Sequence, residues 1–166
     1  MLEKHFEAQL EKVNTWLSFA EAKNGLLIGF NVAAINIVIE HYSQYQIIST
    51  IIILLFIISG IINLISFFPR LNNNSLKNAK SEKAGCNLLF GGNIAELNDV
   101  NMLLDKTVER YFSTYDEKEY SNKVIDLANE VLINSQIAKL KYSYFKKALL
   151  IDILVFVLAI FLCIIA

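Results

Sequence analysis

The sequence predicts an all-α membrane protein, a helical bundle in which three transmembrane helices carry long helical cytoplasmic extensions. Three observations predict this class. Of the 166 residues, 55% are hydrophobic and 19% are charged, whereas soluble domains carry about 25% charged residues. The hydrophobic residues form three long blocks instead of being spread along the chain. The segments outside these blocks place apolar residues at helical spacing and contain a single proline.

Composition excludes several classes of protein. The mean hydropathy of +0.45 and the net charge of −1 exclude a disordered chain, which needs low hydrophobicity and high net charge. Two cysteines are too few for a disulfide scaffold. A pI near 6.1 gives no basic excess for phosphate backbones, so we expect no nucleic-acid partner. The lipid bilayer is the expected partner instead.

Residues 1–24 are predicted to form a cytoplasmic amphipathic helix. Apolar residues recur at steps of four and three, which is typical of one helix face, at Leu2, Phe6, Leu10, Val13, Leu17 and Ala20. Charges of both signs are mixed through the segment, unlike the short basic region of a secretory signal peptide. Because no glycine precedes Gly25, one continuous helix is expected to enter the membrane, with Trp16 and Phe19 near the interface.

Residues 25–68 are predicted to form a transmembrane helical hairpin, with spans at about 25–45 and 47–68. The segment 47–68 has no charged residue over 22 positions, and roughly 20 apolar residues cross a bilayer. The uncharged segment 25–39 is shorter by about one turn. It would need flanking residues or local thinning of the bilayer to span. A buried core helix of a soluble protein is the alternative for this first block.

Residues 69–147 are predicted to form a cytoplasmic helical region. The asparagine-rich segment 71–75 predicts a loop, and a helix is expected from about Ile94 to Phe112, capped by Asn93 and Glu96. A longer helix is expected to begin near residue 115, at a capping box in residues 114–117, and to pack against the N-terminal helix. Its heptad seam consists of Val124, Ala128, Val131, Ser135, Ala138, Tyr142 and Phe145. Packing within the chain and self-association both explain such a seam.

Residues 148–166 are predicted to form the third transmembrane helix. They hold one charge, Asp152, close to their start, and Lys146 and Lys147 would lie at the interface. All 15 basic residues precede the first block or lie between the second and third. The positive-inside rule therefore predicts a multi-pass inner-membrane protein whose N-terminus and residues 69–147 are cytoplasmic. Its C-terminus would lie at the outer face.

Catalytic groupings are not apparent in the sequence. The two histidines, His5 and His41, are predicted on opposite sides of the membrane, and Cys86 and Cys163 lie in different compartments of the predicted topology. Neither cysteine has metal-ligand spacing around it, and no Gly-Lys-Ser phosphate loop occurs. We therefore expect no catalytic residue, no metal, no cofactor and no enzymatic activity. A mechanical or conductive mechanism is expected.

Among the polar residues of the predicted spans, four are candidates for a role inside the membrane: Asn31, Asn36, Asn63 and Asp152. A polar side chain facing lipid costs free energy, about 2.5–3.5 kcal/mol for an aspartate at the helix centre. These side chains are therefore expected to face protein or water. Hydrogen bonding between helices and lining of a pore are the two interpretations.

The segment from Asn87 to Gly92 has a composition that fits two structures. Gly91 and Gly92 permit a tight turn. The N-terminus of the helix expected to follow also has free N–H groups that suit a phosphate. A plain turn between two elements explains the same residues.

Several of these segments resemble the Pycsar effector transmembrane family. Residues 20–31, Ala-Glu-Ala-Lys-Asn-Gly-Leu-Leu-Ile-Gly-Phe-Asn, are similar to that family's approach to its first span. Pro69 after the second span, residues 87–91 and a final span at the C-terminus are similar as well. Glu21 stands where an aspartate is expected and Ala22 where a polar residue is expected. The resemblance covers nearly the whole chain.

The resemblance implies a role in anti-phage defence. A partner cyclase makes a cyclic pyrimidine mononucleotide, cCMP or cUMP, after infection, and the effector then impairs the inner membrane and kills the cell. Under this hypothesis the tentative ligand-binding residues are Glu21, Lys23, Asn24, Asn87, Phe90, Gly91 and Gly92. Lys23 would meet the phosphate and Phe90 would stack on the base. Three spans enclose a pore poorly, so a homo-oligomer is expected.

Two other functions fit the bare sequence. The first is a helical membrane scaffold whose heptad helices dock a soluble partner, and it predicts no nucleotide binding. The second is a constitutive small channel subunit, which predicts conductance without any ligand.

Overall fold

The structure, a computed structural model, describes residues 1–41, 46–68, 87–112 and 120–165. Every element in this part of the chain is an α-helix, which confirms the all-α class. The helices are α1 (Leu2–His41), α2 (Gln46–Ile65), α3 (Gly91–Ile94), α4 (Val100–Tyr111) and α5 (Asn122–Ile165). The N-terminal helix is continuous over 40 residues, as predicted. The predicted loop at 71–75, Cys86 and the capping box at 114–117 lie outside the described residues.

The chain divides into two compact units. Unit 1 consists of Met1–Ser18 and Arg70–Leu140, and unit 2 consists of Phe19–Pro69 and Lys141–Ala166. Both long helices, α1 and α5, therefore contribute residues to each unit. The four sequence-based segments follow hydropathy, whereas these two units follow the contacts between helices, so the boundaries differ.

Unit 1 is organised around one hydrophobic core. Its buried members come from α1, from the segment around α3, from α4 and from α5, and they include Leu2, Phe6, Val13, Leu88, Ile94, Leu97, Leu103, Leu104, Val124, Ala128, Val131 and Leu132. The first part of α1 and the first part of α5 thus pack together in this core, as predicted. The heptad seam of α5 is used within the chain here, since Val124, Ala128 and Val131 are buried. Self-association through the seam stays a prediction.

Two helix boundaries in unit 1 differ from the prediction. The helix expected from Ile94 to Phe112 is broken, because α3 ends at Ile94 and α4 begins at Val100. The Asp99 side chain accepts a hydrogen bond from the Asn101 backbone N–H at 2.7 Å and so caps α4. Asn93 lies inside α3, whose N-cap position is taken by Phe90, so the predicted cap at Asn93 and Glu96 is wrong.

The long helix also begins later than predicted. It begins at Asn122 rather than near residue 115. Directly before it, the Ser121 hydroxyl oxygen lies 3.4 Å from the Val124 backbone nitrogen, which donates to it. A serine in this position satisfies one of the free N–H groups of the first turn.

Unit 2 has a mixed interior and an apolar exterior. Its hydrophobic core contains Val38 from α1, Ile52 and Phe56 from α2, and Val155 from α5. The buried residues of α2 recur at steps of three and four, and they are Ser49, Ile52, Phe56, Ser59 and Asn63. Three of these five, the two serines and the asparagine, are polar. Large apolar side chains such as Leu54, Ile61 and Leu154 are at least half exposed. Polar groups inside and apolar groups outside are typical of helices that pack in lipid.

Two described helices are long and apolar enough to cross a membrane, α1 over Leu2–Glu40 and α2 over Gln46–Ile65. This supports the first two predicted spans by length and composition. The third predicted span, 148–166, is part of α5 and stays a prediction. The orientation of the termini stays a prediction as well.

Candidate functional site

In unit 1, the segment Asn87–Phe90 forms the turn that the sequence assigned to the glycines. The Leu89 backbone N–H donates to Asn87 Oδ1 at 2.9 Å, and the Phe90 N–H donates to the Asn87 carbonyl oxygen at 3.1 Å. Gly91 and Gly92 follow as the first residues of α3. The tight turn therefore lies before the glycines. Because α3 has only four residues, its N-terminus has too small a dipole to hold a phosphate.

Gly91 is required for packing rather than for a turn. A Cβ added at this position would overlap the Cζ3 and Cε3 atoms of the Trp16 ring. Trp16 on α1 therefore lies directly against the α3 backbone. The Gln9 side-chain amide donates to the Leu88 carbonyl oxygen at 2.8 Å. This bond fixes Leu88 to α1, the helix that also carries Trp16.

Phe90 forms an exposed aromatic surface together with Trp16. Their ring centroids are 5.5 Å apart at an interplanar angle of 62°, a favourable edge contact. Phe90 is 53% exposed, so part of its ring is accessible to solvent. Base stacking uses an accessible aromatic side chain of this kind.

In unit 2, Glu21 and Lys23 have different partners. Glu21 Oε1 lies 2.8 Å from Lys141 Nζ, in an ion pair whose lysine side chain is only 11% exposed. Lys23 Nζ lies against aromatic rings, with ring centroids at 4.6 Å for Phe19, 5.5 Å for Tyr142 and 5.6 Å for Phe145. Aromatic rings at these distances attract the ammonium group through cation–π interactions.

Asn24 connects α1 to α5 in unit 2. Its side-chain nitrogen donates to the Ala20 carbonyl oxygen at 2.9 Å and lies 3.4 Å from the Lys141 carbonyl oxygen. The residue is fully buried, and among the described residues no hydrogen bond reaches its Oδ1 atom. Asn24 is therefore a packing residue in this structure.

The predicted ligand residues fall into two groups. Glu21, Lys23 and Asn24 lie in unit 2, whereas the four residues Asn87, Phe90, Gly91 and Gly92 lie in unit 1. Burial assigns Asn24 and Gly91 to packing. Phe90 is exposed and Lys23 is half-buried, so a ligand can still reach both side chains. That both groups bind one ligand stays a prediction.

Three polar residues meet inside unit 2, and we call Asn31, Ser59 and Asp152 the polar cluster. They come from α1, α2 and α5, and each is at most 2% exposed. In the orientation of the Asn31 amide that satisfies the hydrogen bonds of its neighbours, its nitrogen lies 3.2 and 3.1 Å from the two Asp152 carboxyl oxygens and donates to them. Its oxygen then accepts from Ser59 Oγ at 3.0 Å and from the Gly60 N–H at 3.3 Å. Ser59 Oγ also lies 3.3 Å from the Ala148 carbonyl oxygen.

The other two candidate residues of the predicted spans, Asn63 and Asn36, lie outside the polar cluster. Asn63 is fully buried and donates to the Ser59 carbonyl oxygen of its own helix at 3.3 Å. Asn36 is exposed on α1, and no hydrogen bond reaches its side chain within the described residues. The buried contacts of Asn31, Asn63 and Asp152 are those of hydrogen bonding inside the protein. Pore lining stays a prediction for all four.

No metal site is formed in the part of the chain that the structure describes, since no three His, Cys, Asp or Glu side chains cluster there. His5 packs against the rings of Phe6, Tyr111 and Phe112. Burial lowers the pKa of His5, and the Lys12 charge adds to this effect. The half-buried His5 therefore packs among aromatic rings in unit 1.

The chain is an all-helical protein with apolar helices suited to a membrane and a polar cluster between them. Residues 5–166 match the Pycsar effector protein domain, PycTM. The chain therefore belongs to the Pycsar effector family and acts in anti-phage defence. Membership implies a response to a cyclic nucleotide from a partner cyclase and, with the apolar helices, indicates an inner-membrane protein. Neither curated proteins nor solved structures give a match.

Sequence reasoning missed two residues that organise these sites. Ser59 joins Asn31 in the polar cluster, and Lys141 pairs with Glu21. A signal for Ser59 was present, because Ser49, Ser59 and Asn63 fall on one heptad face of α2 and Ser66 continues this spacing directly after the helix. For Lys141, which is one of five lysines between residues 123 and 147, the sequence holds no comparable signal.

Proposed function

We propose that this effector is activated by a cyclic pyrimidine nucleotide, cCMP or cUMP, and then impairs inner-membrane integrity, which leads to abortive infection. It acts as a membrane-opening protein and not as an enzyme. The observation that carries this proposal is the construction of unit 2, with a carboxyl group, an amide and a hydroxyl inside and large apolar side chains outside. Helices built in this way expose polar groups to water when they separate, and water then has a path through the bilayer.

The same proposal includes three spans with a cytoplasmic N-terminus. In unit 2, Asp152 of α5 contacts Asn31 of α1, and Val155 shares a core with Ile52 and Phe56 of α2. Because α1 and α2 are the candidate spans, the contacting part of α5 lies in the same medium. Lys146 and Lys147 are exposed just before this part of α5, where the cytoplasmic interface would be.

The nucleotide is proposed to contact Phe90 through its base and Lys23 through its phosphate. Phe90 offers a half-exposed ring that contacts Trp16. Lys23 offers a cation whose contacts are aromatic rings, so a phosphate can approach it without displacing a carboxylate. The remaining predicted residues, Glu21, Asn24, Asn87, Gly91 and Gly92, would position these two.

Dye-loaded liposomes test the function directly. Purified protein is inserted into vesicles of phosphatidylethanolamine and phosphatidylglycerol, and cCMP, cUMP, cAMP and cGMP are titrated separately. We expect dye release with one pyrimidine nucleotide and none with the purine nucleotides. Release without any nucleotide would indicate a constitutive channel subunit. No dye release with any of the four nucleotides would favour the membrane scaffold that docks a soluble partner.

The active form is proposed to be a homo-oligomer that uses the outward face of α1. Asn36 is a polar residue on the exposed surface of a candidate span, and an amide carries both a donor and an acceptor, so a second copy's Asn36 satisfies it. On the same face, Gly25, Gly29 and Ala33 are exposed. A Cβ added at Gly29 would meet nothing within 4 Å, which leaves the backbone open to a close helix–helix approach.

Gly29→Ile is expected to weaken self-association. The branched side chain would keep two α1 backbones apart, as in other small-xxx-small interfaces. Analytical ultracentrifugation in detergent measures the change. The control is Thr50→Ile, which adds similar bulk to an exposed position of α2. Equal oligomer populations in both variants would assign self-association to another surface.

A further inference from the structure

We infer that the polar cluster of Asn31, Ser59 and Asp152 is a lock that holds unit 2 in its resting arrangement and opens when the membrane is breached. The inference rests on the proposed membrane-opening function and names the part of the protein that switches. Its support is the geometry of the cluster, which takes one residue from each of α1, α2 and α5.

Each helix supplies a group that the other two need. The carboxyl oxygens of Asp152 lie 3.2 and 3.1 Å from the Asn31 nitrogen, and the Asn31 oxygen accepts from Ser59 Oγ at 3.0 Å. All three residues are at most 2% exposed, so water does not replace a lost partner while the helices stay together. Moving any one helix leaves a buried polar group unpaired unless water enters. Separation of the helices and hydration of the cluster are therefore one event.

The cluster is poorly suited to a purely structural role. Apolar packing already joins the same helices through Val38, Ile52, Phe56 and Val155. When all members of a buried polar cluster are replaced by apolar residues, the stability of the protein is often unchanged or higher. Removing only one member is costly, because its partner stays buried and unpaired. A set of this kind thus adds little to packing but creates two discrete states, one paired and dry, the other separated and hydrated.

The two kinds of substitution are expected to have opposite effects. Asn31→Leu removes the donor to Asp152 and leaves the carboxyl group unpaired in the resting state. We expect ligand-free dye release to rise about 5- to 150-fold. Asn31→Leu combined with Asp152→Leu removes both partners, so ligand-free release is expected to fall back to the wild-type level or below. The double variant is also expected to need more nucleotide for release.

Controls separate the lock from general damage to the fold. Thr50→Val removes a hydroxyl from α2 whose only recorded bond among the described residues is to the Gln46 carbonyl oxygen of its own helix. It is expected to release dye like wild type. Helix content and detergent size exclusion are measured for every variant. If Asn31→Leu and the double variant leak equally, or neither differs from wild type, the inference is overturned.

Thiol labelling gives a second, independent readout. Val155→Cys, at a buried position of unit 2 outside the polar cluster, is made in a background of Cys86→Ser and Cys163→Ser and is treated with a membrane-impermeant maleimide. Labelling is expected to be slow at rest and at least about tenfold faster after Asn31→Leu, because the position becomes hydrated only when the helices separate. Equal labelling in both backgrounds would overturn the lock. Faster labelling in a protein that no nucleotide activates would keep the lock and contradict the ligand assignment.

Discussion

Gly91→Ala is expected to destabilise unit 1 by about 1–3 kcal/mol, the usual cost of overpacking a filled site. The added methyl group would overlap the Trp16 ring, and Trp16 packs against the core of the unit. Relieving the overlap requires the bulky Trp16 ring or the α3 backbone to move. Thermal unfolding of the purified protein in detergent measures the loss. Combining Gly91→Ala with Trp16→Leu should recover part of it, because the clashing ring is then absent.

The neighbouring glycine provides the control. A Cβ at Gly92 would approach the Phe90 ring at 2.5 Å, but that ring is 53% exposed and can turn away. Both glycines lie in α3, where alanine is favoured over glycine by up to about 1 kcal/mol. Gly92→Ala should therefore be neutral or slightly stabilising. Equal losses at the two positions would mean that Trp16 does not set the requirement for glycine.

Phe90→Ala is expected to weaken nucleotide binding about 5- to 150-fold, because a base stacked on an aromatic ring contributes about 1–3 kcal/mol. The half-exposed ring that would carry the stacked base is lost on truncation. Isothermal titration calorimetry with cCMP and cUMP measures the affinity. Leu89→Ala is the control, since Leu89 is a neighbouring apolar residue that is 48% exposed.

Lys23→Met tests the phosphate contact in the same assay. The substitution keeps the length of the side chain among Phe19, Tyr142 and Phe145 and removes only the charge. Lys147→Met is the matched control, because Lys147 also lies over an aromatic ring, that of Tyr144. Lys23→Met should weaken binding and Lys147→Met should not. Unchanged affinity in both Phe90→Ala and Lys23→Met would end the assignment of the nucleotide site.

The polar cluster connects the proposed ligand-binding residue Lys23 with the proposed opening of the membrane. Lys23 and Asn31 belong to the same helix, α1, and both lie in unit 2. A ligand that binds one arrangement of unit 2 more tightly shifts the population toward that arrangement. A lock of three residues responds to such a shift in an all-or-none manner, since its bonds fail together.

Features that depend only on residues close together in the sequence could be predicted from the sequence. The absence of charge over 47–68 predicts a long apolar helix, and α2 is found at Gln46–Ile65. The spacing of Leu2, Phe6 and Val13 predicts the face of α1 that is buried in unit 1. The segments 20–31 and 87–91 are also sufficient to indicate the family, which the match over residues 5–166 confirms. Hydropathy, periodicity and short motifs are properties of neighbouring residues, so no partner helix has to be known.

Pairing between distant residues depends on the folded packing instead. Asn31 meets Asp152 across 121 positions of the chain, and Glu21 meets Lys141 across 120; neither spacing has a local signature. The break between α3 and α4 depends on Asp99 competing for backbone N–H groups while Leu97 and Leu103 both become buried. Gly91 reads as a turn residue until Trp16 is placed against it. In each case the free energy comes from burial beside a remote side chain, and only tertiary contacts determine which side chain that is.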